Sequence, residues 1–170
     1  MTAAEFVSAI REITPDESKF SKMPEGFAQM YLGDLLIGDK EEHHIIEPKK
    51  AVIDLMVNYD VSPLTIMIFS FNNSDELKDT ELFTFFGWRE AFPLAIHKAI
   101  GEIVEVDWAD DNRIVSYIAK DQQSYLDLLF SLQENSLSTL FSDRQKWSTE
   151  ELAEIAGGYK YQPHLTDLLS

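Results

Sequence analysis

Between Gly101 and Ala119 the chain reads GEIVEVDWADDNRIVSYIA. Val104, Val106 and Trp108 alternate with Glu105 and Asp107, the period of a strand with one apolar and one polar face. Ala109–Asn112 has the composition of a turn, and Arg113–Ala119 returns as a second strand. The segment predicts an antiparallel hairpin, its valines turned to a core and its carboxylates turned outward. That pairing restricts the fold more than any other feature, because it fixes a sheet and a side for it.

Helical signals flank the strands. Thr2 and Glu5 have capping-box spacing, and Phe6, Ile10 and Ile13 follow at helical intervals. Phe20, Met23 and Phe27 suggest a second, irregular helix broken near Pro24 and Gly26. Tyr31–Ile37 reads as a strand, and 48–59 as a helix with Val52, Leu55, Met56 and Tyr59 on one face. Leu64–Phe71 is apolar on both faces, which predicts a central strand. Leu82–Trp88 and Ala91–His97 read as further strands, with Pro93 at an edge, a bulge or a non-paired position. Asp121 is placed to cap a helix carrying Tyr125, Leu128, Leu129 and Leu132. Ser148 and Glu151 form a second capping box, Trp147 and Leu152 have staple spacing, and Gly157-Gly158 stops that helix. Residues 159–170 read as a tail docked through Tyr159, Tyr161 and Leu165.

The order predicts an α+β fold: a mostly antiparallel sheet with helices packed on one side and at both termini. The chain reads as one domain over 1–170, with a core over 1–134 and a C-terminal helix and tail over 135–170.

Thirty acidic residues against fourteen basic ones give a formal charge of −16. Such a surface repels phosphate backbones and anionic headgroups, so nucleic-acid and membrane binding are disfavoured and a basic protein partner is favoured. Without cysteine there is no disulfide framework and no thiolate nucleophile, which fits a cytoplasmic location. The N-terminus does not read as a signal peptide, and no run is long enough to span a bilayer.

Motifs for chemistry are sparse. His43-His44 lies among Glu41, Glu42 and Glu47, but not as His-Glu-x-x-His; a solvated loop is the plainer reading, and no metal or other cofactor is assigned. The glycines are scattered, and no Gly-x-Ser-x-Gly elbow appears. No catalytic residue is assigned. The carboxylates Glu102, Glu105, Asp107, Asp110 and Asp111 cluster in sequence. They suit a carboxylate-based or metal-assisted hydrolase, a binding rim, or a solvated face.

Phe86–Leu132 resembles the core of the SMI1/KNR4 family, the SUKH superfamily. Arg89-Glu90-Ala91-Phe92 stands where the family carries Gly-Glu-Ala-aromatic, with Arg89 in place of the glycine. Gly101–Val106 matches Gly-x-Ile/Val-x-x-Val, and Ile114–Ala119 followed by Asp121–Leu129 matches the closing strand and helix. Met23-Pro-Glu-Gly-Phe27 partly echoes the family's Leu-Pro-x-x-Tyr helix. The resemblance implies a non-enzymatic, cytoplasmic binding module: an immunity-type protein that neutralises a cognate toxin, or a regulatory interaction domain of the same fold. With a basic toxin domain as partner, Glu102, Glu105, Asp107, Asp110 and Asp111 would form the partner-binding rim.

Overall fold

A computed structural model describes residues 1–169. Its first element is α1 (Ala3–Ile13), started by the capping box: the Glu5 amide donates to Thr2 Oγ1 at 3.3 Å and the Thr2 amide to Glu5 Oε2 at 2.7 Å. Phe6, Val7 and Ile10 on one face are buried. A turn of 3-10 helix (Glu17–Phe20) leads to α2 (Phe27–Gly33). Two short strands, β1 (Gly38–Asp39) and β2 (Tyr59–Asp60), pair across α3 (Ala51–Asn58).

The main sheet holds β3 (Thr65–Ile66), β4 (Phe69–Phe71), β5 (Lys78–Asp79), β6 (Phe83–Arg89), β7 (Phe92–His97), β8 (Ile103–Asp107) and β9 (Arg113–Ala119). Its order is β3-β4-β6-β7-β8-β9, β5 also pairs with β6, and the pairings are antiparallel. Then follow α4 (Gln122–Ser142), α5 (Thr149–Ala156), a 3-10 turn (Tyr159–Tyr161) and α6 (Gln162–Leu168). The fold is α+β, with an antiparallel sheet and helices at both termini.

The helices cover one face of the sheet. Leu94, Ile96, Ile103, Ile118 and Phe86 point into that layer and meet α1, α3, α4 and the C-terminal segment in one cluster. Tyr125 of α4 is buried there, edge-on to Phe69, Phe71 and Phe86. The opposite face carries a smaller cluster of Phe83, Phe85, Ala95, Val104 and Val106, to which no helix contributes. Part of its cover is aromatic: His97 stands edge-on to Phe83 and Trp108 edge-on to Phe85.

α4 runs across positions 134–135, and Leu152, Ala153, Ala156, Tyr161 and Leu165 share the core cluster with α1. Asn135, buried on α4, ties the following loop: its Oδ1 accepts from the Lys146 and Trp147 amides, and its Nδ2 donates to the Trp147 carbonyl. Both capping residues of the C-terminal half engage, with Asp121 accepting from the Ser124 amide and Ser148 from the Glu151 amide. The tail is itself folded into the 3-10 turn and α6; Tyr161 and Leu165 are buried, whereas Tyr159 is exposed.

Two strand readings are corrected. Tyr31–Ile37 is no strand: Gly26 takes a left-handed conformation at φ 82°, α2 starts at Phe27, and Tyr31 stacks on Phe27 one helical turn away. The Leu35 and Leu36 amides then close turn bonds to Leu32 and Gly33, which leaves no ladder. Leu64–Phe71 is not one central strand but the edge hairpin β3–β4. Met67, at φ 55°, makes its two-residue turn, a conformation that side chains other than glycine adopt at a cost. Pro93 lies in the interior strand β7 and, unlike the edge, bulge or non-paired position expected, pairs in register with Trp88 of β6; on its other side the β7–β8 ladder begins only at Leu94, opposite Glu105. The missing donor therefore breaks no ladder bond to β8.

Candidate functional site

The alternation along β8 is as the sequence predicts and its valines are buried, but the side expected to face solvent is buried too. Val104 and Val106 face the helix-free side, and Glu105 points into the helix-covered side opposite Leu94. Glu105 is 1% exposed. Its Oε2 accepts from Arg89 Nη1 at 2.9 Å across the sheet. Burial raises the Glu105 carboxyl above its ordinary range, against the pull of Arg89. Glu105 is therefore no part of a solvent-facing rim, because a residue this enclosed cannot meet a partner.

The other four acidic residues divide by their contacts. Lys160 donates to both oxygens of Glu102, at 2.8 and 2.6 Å, while its ammonium sits 3.8 Å from the Tyr117 ring centre. Asp107 accepts from the Ala109 amide at 2.9 Å and lies 4.0 Å from Arg113. Asp110 pairs with Arg113 Nε at 2.6 Å. Asp111 forms none of the ion pairs among the described residues. Asp110, Asp111 and half-buried Asp107 gather at the tip of the β8–β9 hairpin, whereas Glu102 lies at the far end of β8.

The tip is fixed by its own chemistry. Asp111 and Asn112 both adopt left-handed backbone, φ 51° and 58°, which their short polar side chains tolerate better than most residues do. The Arg113 amide closes the turn on the Asp110 carbonyl at 2.9 Å. Trp108 is the residue that sequence reasoning missed. The alternation assigned it to the core with Val104 and Val106, yet it lies one residue past the end of β8 and is 48% exposed. Its ring is edge-on to Phe85 at 5.7 Å and to Trp88 at 5.3 Å, and Lys78 Nζ lies 5.1 Å from its centre. Trp88 is held in turn by a bond from its indole nitrogen to Asn72 Oδ1 at 2.8 Å. The signal was available: the turn composition beginning at Ala109 makes Trp108 a strand-end residue, where cover thins.

The hairpin tip therefore offers a rigidly seated, half-exposed indole beside two exposed carboxylates. Such a surface suits recognition of a cationic protein, with the aromatic as anchor and the acids as steering charge.

The other candidates lie elsewhere. His43 and His44 are exposed; the His43 ring stands edge-on to Tyr59, and the His44 amide donates to Asn58. Among the described residues no group of three or more His, Asp or Glu side chains converges to hold a metal ion. No helix among them is long and apolar enough to cross a membrane. A cavity of about 480 Å³ opens among Phe27, Tyr31, Met67, Leu140 and Leu168, with Ser136 at its wall. None of the five acidic residues lines it. Comparison of the chain with family models, with curated proteins and with solved structures finds no match.

Proposed function

We propose that this chain is an immunity-type protein of the SMI1/KNR4 kind, which binds a basic toxin domain and neutralises it. The contact is the tip of the β8–β9 hairpin. The observation that carries this reading is the half-exposed Trp108 seated between Phe85 and Trp88, next to exposed Asp110 and Asp111. The charge of −16 supports it from a distance, since opposite charge speeds encounter and like charge rejects wrong partners. The proposed rim is narrower than the five acids read from the sequence: Asp111, in none of the ion pairs among the described residues, leads; Asp110, exposed but paired with Arg113, and Asp107 flank it; Glu105 is buried against Arg89, and Glu102 lies at the far end of β8, tied to Lys160.

The test has two parts. Tagged protein is used to capture its partner from native lysate at low salt, and the partner is expressed in cells with and without this chain. Affinities are then measured for Trp108→Ala and for Asp110→Lys with Asp111→Lys. Truncating the indole should raise Kd by roughly 30-fold or more, the scale of a hot-spot residue. Charge reversal should slow association and flatten its salt dependence. A partner that poisons cells alone and is silenced by coexpression supports the proposal. Unchanged affinity in both variants refutes the hairpin as the contact. A partner that binds here without toxicity makes the chain a regulatory interaction module instead.

A further inference from the structure

We propose that His164 is a pH-sensitive latch: the neutral imidazole seats the segment Thr149–Leu168 against β9, and protonation releases it. The ring lies on α6, is 3% exposed, and neither of its nitrogens has a hydrogen-bond partner among the described residues. A buried polar ring left in this state tolerates neutrality far better than charge. A cation already bears on the site and disfavours a second positive charge. Arg89 bears on the ring electrostatically, its Nε also lacks a partner, and its guanidinium is already committed to Glu105.

The surrounding groups offer the imidazolium little relief. From the sheet, Arg89 on β6 and Tyr117 on β9 act on the ring directly, and Glu105 on β8 enters as the partner of Arg89. From the 3-10 turn come Tyr161, whose hydroxyl burial pushes up to about 12, and Lys160, tied to Glu102. On α5, Glu150 reaches Gln162 at 3.5 Å. On α6 itself Asp167 is exposed. The backbone of Tyr161 and Tyr117 favours the charged ring, without meeting hydrogen-bond geometry. Glu105 is the buried carboxylate in this set, and Arg89 holds it.

What the latch holds is a definite seam. The Lys120 amide, just past β9, donates to the Ala156 carbonyl at 2.8 Å. Leu152, Ala153, Ala156, Tyr161 and Leu165 bury their side chains in the core beside it. Burial depresses the His164 pKa to about 4 from 6.5. A ring whose folded pKa is depressed contributes stability that is complete above about 6.5 and is lost as pH falls toward about 4. Glu105 works in the opposite sense, because a carboxyl raised by burial gains on protonation.

The experiment is hydrogen–deuterium exchange of the full chain at about pH 8 and about pH 5, corrected for intrinsic rates. For an opening that exposes His164, the linkage relation predicts a rise in opening of roughly 30-fold at the lower pH, confined to α5, the 3-10 turn and α6. His164→Leu should remove that rise. A rise that is equal in the variant, or spread evenly over β6–β9, overturns the latch. Should His164→Leu fail to fold, the imidazole of the unmodified chain is titrated by NMR. A ring still neutral at about pH 5 sustains the proposal, and titration near 6.5 overturns it.

Discussion

Replacing Arg89 with methionine lowers the unfolding free energy by about 3–5 kcal/mol, the usual cost of removing one partner of a buried ion pair. The side chains of Arg89 and Glu105 are 17% and 1% exposed, so little water reaches the carboxylate when its partner goes. Glu105 then stays as an unpaired buried charge, or it takes up a proton. The second outcome has its own sign: lower pH restores part of the lost stability, because the folded state binds the proton more tightly than the unfolded chain. The double variant Arg89→Met with Glu105→Met should recover most of the loss, since an apolar pair of similar volume commonly replaces a buried ion pair without penalty. Urea unfolding of the four proteins in the cycle measures the coupling directly. A single-variant loss below about 1 kcal/mol would mean that the pair is solvated and that β8 does not face the helix layer as described.

Gly87→Ala has a comparable effect through sterics alone. A Cβ at this position would lie 2.2 Å from the Ser70 carbonyl oxygen and 3.3 Å from Phe71 Cα, both of them backbone atoms. No rotamer change relieves such a contact, so β4 and β6 must separate locally. The position also adjoins the irregularity between Phe85 and Gly87 that sets Phe86 toward the helices and Trp88 toward the opposite face. The expected loss is about 3 kcal/mol, the upper end of ordinary overpacking, and it should appear as a fall in Tm of roughly 6–12 °C for a chain of this size. A thermal melt checks this, and an unchanged Tm would contradict the registered pairing of β4 with β6.

Much of the fold was legible because local chemistry and global packing agree over most of the chain. The capping boxes at Thr2 and Ser148 and the cap at Asp121 all engage, and the helix after Asp121 buries the stripe its spacing marks. The run Phe83–His97 with the hairpin at Gly101–Ala119 forms the antiparallel heart of the sheet. The failures have physical causes. Tyr31–Ile37 has strand-like alternation at its end, with Leu35 and Ile37 buried and Leu36 exposed, but its backbone is spent on α2 and the turns after it. Leu64–Phe71 is apolar at six of its eight positions because the core covers a tight hairpin as well as it covers a strand, and nothing in the composition marks the break at Met67.

The site was legible in part. The acidic hairpin exists and its tip is solvent-facing, yet alternation cannot say which side of a strand is covered when both are. Glu105 was assigned outward on the rule that carboxylates seek water; Arg89, sixteen residues earlier, reverses that by supplying the buried counter-charge. Trp108 was assigned inward by the same rule in mirror image. The first error comes from treating the sheet as one-sided, whereas the aromatic cluster of Phe83 and Phe85 gives it a second buried face; the second comes from extending the alternation past the end of β8 at Asp107, where cover thins.

The most direct measurement of the central claim is hydrogen–deuterium exchange of the chain alone and in complex with its captured partner. The account predicts new protection centred on Asp107–Arg113, with Trp108 fluorescence changing on binding and both effects weakened by added salt. Protection that leaves the hairpin tip unchanged and falls instead around Phe27, Tyr31 and Met67 would contradict it and place recognition at the uncharged cavity.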